Sequence, residues 1–268
     1  MYFKEKLVLI TGGASGIGKI MARLLLEQQA RVIIWDINPD NIAQTHQDFL
    51  NNPNLFSYQL DVTNAVEIAE SANNIKQKHG CIDVLINNAG IIVGKYFSEH
   101  LALDIENTMN INTVAPMQIA RLFLNDMLKN NTGHICNIAS SGGLVSNPKM
   151  SVYAASKWAL IGWSDSLRLE MKQQKKNIKI TTIMPYYIHT GMFEGVQSKI
   201  PILEPEPTAR TIIKAIASGK KLVTIPGYIY RVTRLGQALM SVNVFDWFAG
   251  RVLGIYTTME HFVGRKNK

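Results

Sequence analysis

"LVLITGGASGIG", residues 7 to 18, decides the architecture of this chain. A short aliphatic, β-branched run ends at Thr11 and passes without a polar loop into a glycine-rich turn, after which a helical pattern begins near Ile17. Glycines at 12, 16 and 18 let the backbone come close to a pyrophosphate, and the amides of a helix N-terminus point at its negative charge. Gly12, Ser15, Gly16, Ile17 and Gly18 are therefore the candidate phosphate cradle. The spacing differs from G-x-G-x-x-G, and such a turn alone would equally serve as a tight strand-to-helix connection.

The pattern repeats outward from this stretch. "VIIW" at 32 to 35, "FSYQL" at 56 to 60, "VLIN" at 84 to 87, "HICNI" at 134 to 138, "IKITTI" at 178 to 183 and "LVTI" at 222 to 225 read as further strands. Helical patterns fall between them, at about 17–29, 40–50, 64–79, 99–129, 152–173 and 206–218. Strands that are apolar throughout are buried on both faces, so the alternation predicts an α/β fold, a single-domain doubly wound parallel sheet of about seven strands with helices on both faces. Ligands bind such sheets at the carboxyl ends of the strands.

The 268 residues are 47% hydrophobic and 18% charged, enough for one large core, and no flexible linker or repeat divides them. We expect a catalytic domain over 1–226, with a loop over the substrate at 190–207, followed by an apolar helical extension over 227–268. The first strand starts at Lys6 or Leu7, which leaves no room before it for a signal peptide or membrane anchor and gives a cytoplasmic protein as the default. Cys81 and Cys136 lie in or beside expected strands with no partner at metal-ligand spacing, so free thiols and no metal are expected. The formal charge of +8 is scattered, then thickens late in the chain, where Arg231, Arg234, Arg251, Arg265, Lys266 and Lys268 face only Asp246 and Glu260. No nucleic-acid motif accompanies it, so nucleic acid is not an expected partner.

Chemistry-bearing residues fall at the strand ends. Asp36, in "WDIN", is placed to accept hydrogen bonds from an adenosine ribose and to repel a 2′-phosphate, or simply to cap the next helix. Ser15 and Ile37 stand where a basic side chain would hold that phosphate, which favours NAD over NADP. Asp61 and Val62 in "QLDVT" suit an adenine ring, although Asp61 or Thr63 could cap a helix. Asn88, Ala89 and Gly90 in "NNAG" suit close passage of a cofactor, or a strand-terminal turn.

In "YAASK", Tyr153 and Lys157 stand four apart and share a helix face. An ammonium near a phenol favours phenolate, so Lys157 is expected to lower the Tyr153 pKa and fit it to take the proton of an alcohol as hydride leaves the adjacent carbon. Ser140, at the end of the fifth strand, is placed to hold the substrate oxygen, and Lys157 to hold nicotinamide ribose hydroxyls as well.

The ordered set "TGGASGIG", Asp36, "DV" at 61 to 62, "NNAG", Asn112, Ser140 and "YAASK" resembles the classical short-chain dehydrogenase/reductase family over about residues 6 to 225. The resemblance implies a Rossmann-type sheet and a catalytic tetrad of Asn112, Ser140, Tyr153 and Lys157, the asparagine supporting a water that relays protons from the lysine. "INTVAP" favours Asn112 over Asn110 for that place. It also implies Pro185, Ile188 and Thr190 beside the nicotinamide. Tyr186 departs from the pattern by standing where the family commonly has glycine, which leaves the local backbone conformation open and suggests a narrower pocket.

"TGMFEGVQSKIPILEPEP", "WDIN" and the apolar tail resemble the epidermal retinol dehydrogenase-like and 17β-hydroxysteroid dehydrogenase branch. That resemblance implies oxidation, with NAD, of a lipophilic alcohol such as a retinoid, steroid or long-chain compound, in a homodimer or homotetramer. Leu144, Met150, Tyr186, Tyr187, Met192 and Phe193 are the candidate pocket residues. An NADP-linked carbonyl or 3-oxoacyl reductase is the alternative enzyme, and a non-catalytic dinucleotide-binding regulatory protein the alternative outside enzymes. In the tail, Val232, Leu235, Leu239 and Val242 share a helical face, which would pack on its own domain, on a partner subunit or peripherally on an anionic membrane surface.

Overall fold

A computed structural model describes residues 1–264; Arg265, Lys266 and Lys268 of the basic tail lie outside the described residues. Seven parallel strands form one sheet: β1 Leu7–Thr11, β2 Arg31–Asp36, β3 Leu55–Gln59, β4 Val84–Asn87, β5 Gly133–Ile138, β6 Ile178–Pro185 and β7 Leu222–Ile225. Their order is β3-β2-β1-β4-β5-β6-β7, the Rossmann-type arrangement, with β1 paired in register from Leu7↔Arg31 on one side and Val8↔Val84 on the other. The chain winds outward first one way and then the other, so β1 and β4 part company at their carboxyl ends and leave a crevice there.

Alternation along the strands explains why both faces carry helices. In β1, Val8 and Ile10 enter one apolar core while Leu7 and Leu9 enter the other, and Ile34 and Ile33 of β2 divide in the same way. The first core is closed by α1 Gly16–Glu27 and α7 Pro205–Ala217, and the edge of α2 Pro39–Asp48. The second is closed by α3 Ala65–His79, α5 Ala115–Asn130 and α6 Ser151–Gln173. Cys136 is buried in the first core, whereas Cys81, expected in or beside a buried strand, is exposed.

The single helix expected over 99–129 is broken in two. After a 3₁₀ turn at Phe97–Glu99 come α4 Ala102–Met109, a π turn at Asn110–Val114, and then α5. Pro116 supplies the reason. It has no N–H for the carbonyl of Asn112, four residues earlier, so the α-helical ladder cannot run through and widens by one residue instead.

After β7 the chain forms α8 Ile229–Leu239, α9 Val242–Trp247 and a π turn at Phe248–Val252, then returns over the loop that follows β6. Ile229, Ala249, Thr258 and Met259 are buried against the body, and Val263 N–H donates to the Glu194 carbonyl at 2.9 Å. The extension therefore packs on its own domain, but by its other side. Val232, Leu235 and Leu239 are exposed along α8, while Val242, expected on the same helical face, opens α9 after the break at Met240 and Ser241 and is exposed there. No helix among the described residues is long and apolar enough to cross a membrane.

Candidate active site

The crevice between β1 and β4 is floored by the glycine-rich turn. Gly12 (φ +63°) and Gly16 (φ +52°) adopt left-handed backbone, which an L side chain resists. At Gly18 the constraint is space: a Cβ there would lie 2.1 Å from the Gly12 carbonyl oxygen and 2.6 Å from Asn88 Nδ2. Asn88 fixes the turn from the β4 side, its Nδ2 donating to the carbonyls of Thr11 (2.9 Å) and Gly12 (3.0 Å). Ser15 stands at the N-cap of α1 with its side chain engaged in no cap bond, and Ser15, Gly16 and Ile17 line the crevice at the helix end, where the first amides have no partner within the helix. The cradle fits a pyrophosphate. Gly18→Ala should push Gly12 and Asn88 apart, costing about 1–3 kcal/mol of stability and weakening dinucleotide affinity by a comparable amount. Thermal unfolding with and without dinucleotide checks this, and an unchanged affinity would remove the cradle's role.

At the end of β2, Asp36 does two jobs. Its carboxylate accepts from Ala14 N–H (3.0 Å) in the glycine turn and from Asn38 N–H (3.1 Å), while Asn38, not Asp36, caps α2. Each oxygen keeps a further lone pair, and the residue lines the crevice beside Ile37, Asp61 and Val62. Asp61 accepts from Thr63 N–H and Oγ1, both at 2.8 Å, and the cap of α3 is Asn64. Ala89 and Gly90 line the same crevice. These positions fit the adenosine half of a dinucleotide.

The candidate groups Asn112, Ser140, Tyr153 and Lys157 come together beside the carboxyl end of β5 and the first turns of α6. The first two turns of α6 bury Tyr153 and Lys157 on one face, and Lys157 Nζ lies 5.7 Å from the Tyr153 ring centre and donates to the Ile138 carbonyl at 3.1 Å. Ser140 Oγ accepts from Gly142 N–H at 3.0 Å, which turns the hydroxyl toward the same cavity. Asn112, fully buried in the π turn, clasps the backbone of Ile91 from both sides, Oδ1 accepting from N–H and Nδ2 donating to the carbonyl, each at 2.9 Å. A Cβ on Gly90 would stand 3.1 Å from that Oδ1 and 3.6 Å from Lys157 Nζ, so amide and ammonium share one small space. Asn110 is exposed.

Ser156 went unread in "YAASK". Its hydroxyl donates to the Tyr153 carbonyl at 2.7 Å and accepts from Asn112 Nδ2 at 3.0 Å, while Thr113 Oγ1 donates to the Ser156 carbonyl at 2.9 Å. The serine thus ties the π turn to the first turn of α6. Its place inside the tyrosine–lysine spacing was the available signal.

Electrostatics run against the simple expectation for Tyr153. Burial pushes its phenol up to about 12, with the Ser140 hydrogen bond pulling weakly the other way, and burial pulls Lys157 down to about 8. Desolvation sets the direction of both shifts in the chain alone. The tyrosine is held as a neutral phenol at physiological pH and the lysine sits close to its own titration.

Pro185, Ile188, Thr190, Met192, Phe193 and Tyr186 line the crevice beside Ser140 and Tyr153. Tyr186 has no left-handed backbone: its N–H donates to the Ile225 carbonyl at 2.8 Å, its ring packs on Tyr187 (4.6 Å), and its hydroxyl bonds Ser198 at 2.8 Å. The side chain is accommodated without strain. Met150 and Tyr187 wall an adjoining cavity. Leu144 does not belong to the pocket. It is buried with Ala139, Leu160 and Met184 on the core side of the loop after β5, where its neighbours offer it a dry apolar site. Asn147, which the sequence did not single out, donates to the hydroxyls of Tyr187 (3.0 Å) and Thr258 (3.1 Å) and ties the tail to the pocket wall.

Together these groups could hold a substrate oxygen between two hydroxyls at the edge of a dinucleotide crevice, as reversible hydride transfer at an alcohol carbon requires. Residues 6–201 match the model of the short chain dehydrogenase family. The chain is 33% identical to mouse (Mus musculus) epidermal retinol dehydrogenase 2, over 98% of this chain and 87% of that protein. It is 30% identical to human (Homo sapiens) retinol dehydrogenase 10, over 99% and 88% respectively. Among solved structures, a short-chain dehydrogenase/reductase from Burkholderia phymatum in complex with NAD superposes with a TM-score of 0.81 at 22% identity, covering 89% of this chain and 95% of that one. A metagenomic short-chain oxidoreductase in complex with NADP gives 0.73 at 24% identity, covering 84% and 97%. Such a likeness in fold and sequence, over nearly the whole length, makes this chain a member of the short-chain dehydrogenase/reductase family, a nicotinamide-dependent oxidoreductase acting on CH–OH donors.

Proposed function

We propose that the chain is an NAD-dependent oxidoreductase that interconverts a lipophilic alcohol, of the retinoid, steroid or long-chain kind, and its carbonyl, with Tyr153 as acid and base. The observation that carries this reading is the apolar surround of the reacting phenol. Tyr153 belongs to a cluster with Met150, Tyr186, Tyr187, Ile229 and Met259, and Phe193 meets its ring edge-on at 6.1 Å. Such a lining stabilises an extended apolar substrate and offers few partners to a polar one. The retinol dehydrogenases among the relatives support the same substrate class.

NAD, when bound, supplies the hydride acceptor, and the chain's residues do the rest. The glycine turn and Ser15 hold its phosphates, and Asp36 its adenosine ribose. Ser140 orients the substrate oxygen, Tyr153 takes or returns its proton, Lys157 provides positive charge beside the phenol, and Asn112 braces the Ile91 backbone against that charge. A panel of retinol, steroid and aliphatic alcohols with each dinucleotide, followed by nicotinamide absorbance, tests the reading. We expect turnover of the apolar members with NAD. A parent enzyme that prefers NADP or small polar alcohols refutes it.

Asp36→Ala removes the repulsion of a 2′-phosphate and should shift the ratio of NAD to NADP efficiency by about ten-fold toward NADP. No shift would end the gatekeeper role. A homodimer or homotetramer built on the outer faces of α4, α5 and α6 is supported by exposed Leu103 on α4, Val114 in the π turn before α5, and Trp158 and Leu169 on α6. Sedimentation velocity checks it, and a monomer at micromolar concentration would contradict it.

A further inference from the structure

A second cavity starts where the reacting tyrosine ends. A Cβ on Gly142 would sit 3.4 Å from Tyr153 Cε1, and Gly142 with Met150, Tyr186 and Tyr187 walls the near end of an apolar space of about 70 Å³. Tyr186 is common to this space and the dinucleotide crevice. Its far end is formed by Val145, Val232, Thr233, Leu253 and Ile255, and the same five residues wall a third space of about 310 Å³ beneath α8 and α9. The three spaces share walls in series from Ser140 and Tyr153 to the outer side of the C-terminal extension. Apart from Thr233, the shared residues at the second junction are aliphatic, and the flexible Met150 side chain lines the second space and belongs to the same apolar cluster as Tyr153.

The outer face over that third space is apolar and uncovered. Leu239 is 80% exposed and Val242 75% exposed, and Leu235, Val244 and Trp247 are exposed beside them. Single exposed apolar residues are ordinary, but a contiguous group on two successive helices marks a surface that meets something. Its rim is basic. Arg231, Arg234 and Arg251 are exposed, Lys199 Nζ grips the carbonyls of Arg251 and Val252 at 3.2 Å each, and Lys220 and Lys221 lie beside Tyr230 at the start of α8. The one acid on the two helices and the turn after them, Asp246, is engaged by the Tyr256 hydroxyl at 2.5 Å. A second copy of the chain seated here would set this basic rim against its own kind, whereas an anionic lipid surface meets both the charge and the apolar crest.

We propose that the α8–α9 face docks on an anionic lipid surface and that the substrate alcohol passes from the lipid, beneath α8 and past Met150, to Tyr153. The proposal rests on the reading of the substrate as lipophilic and adds the side from which it enters. Val145, Val232 and Leu253 then form the waist that sets how bulky an alcohol can reach the phenol.

The full chain is tested in two measurements. The first is co-sedimentation with phosphatidylcholine vesicles, with and without phosphatidylserine. The second is the ratio of NAD-linked turnover of a long-chain alcohol carried in the vesicles to that of a short alcohol dissolved in water. The parent should bind the anionic vesicles preferentially. Changing the exposed pair Val242→Asp and Trp247→Asp should cut the bound fraction and the ratio together, each by about ten-fold. Val232→Trp, at a half-exposed site that tolerates bulk, should keep vesicle binding at the parent level or above it and lower only the ratio. Equal sedimentation with neutral and anionic vesicles overturns the docking, as does a double variant that changes oligomeric state rather than vesicle binding. An unchanged ratio in Val232→Trp overturns the passage. If the parent oxidises no alcohol in either form the functional reading fails, and the surface still stands or falls on sedimentation.

Discussion

Tyr153→Phe should lower kcat/KM about a thousand-fold while leaving fold and dinucleotide affinity in place. The ring is buried and held edge-on by Phe193, and phenylalanine keeps that packing. Only the hydroxyl is lost, together with its bond to Ser140, a loss worth about 1 kcal/mol. Since burial keeps the phenol protonated up to about 12, the parent's alcohol oxidation should climb with pH as proton release becomes easier, and the variant's residual rate should not. Steady-state kinetics from pH 7 upward, beside thermal unfolding with and without NAD, separate these outcomes. A variant that oxidises its substrate at the parent rate would show that another group moves the proton.

The same tyrosine shows where reading the sequence stops. That Tyr153 and Lys157 share a face follows from their spacing, and the glycines, Asp36 and "NNAG" could be placed at strand ends because continuous apolar runs mark strands buried on both sides. The direction of the Tyr153 shift could not be read in this way. It depends on how many apolar atoms from the loop after β6 and from the tail close over the ring, which is a property of the folded surround and not of the lysine four residues on.

Other misreadings have equally local causes. Helical periodicity runs straight through 99–129, and only the missing N–H of Pro116 opens the π turn that turns Asn112 inward. Leu144 and Met150 lie on one loop with similar polarity, and only packing separates them: Leu144 joins Ala139, Leu160 and Met184, whereas Met150 joins Tyr153, Tyr186 and Tyr187. The stripe on α8 was legible as a stripe. Its exposure was not, because periodicity identifies a face without saying what it meets.

Lys157→Met is the counterpart in which activity and stability should move in opposite directions. Burial lowers the lysine from 10.5 to about 8, and about 2.5 pKa units correspond to roughly 3 kcal/mol spent on holding a proton in a dry site. Methionine fills similar space without charge but leaves the Ile138 carbonyl without its donor, a cost of about 1–3 kcal/mol. At pH 7 the variant should therefore match the parent or exceed it by up to about 2 kcal/mol, while kcat/KM falls about a hundred-fold because the phenol loses its electropositive neighbour. The pH dependence carries the proof of cause. Below about 8 the lysine is protonated in both folded and unfolded chains, so the whole penalty is present; from about 8 to 10.5 the unfolded chain binds more protons, and the parent's stability rises. Urea unfolding at pH 7 and at pH 10 should show the variant's advantage shrinking or reversing at the higher pH. An advantage that does not change with pH would mean the charge is not what destabilises the parent, and a variant several kcal/mol weaker at pH 7 would mean that the bond to Ile138 outweighs the burial. An advantage at pH 7 that vanishes by pH 10 would mean that the ammonium is held at a cost in stability which packing does not repay, and the part proposed for its charge beside Tyr153 is then the reason left for keeping it.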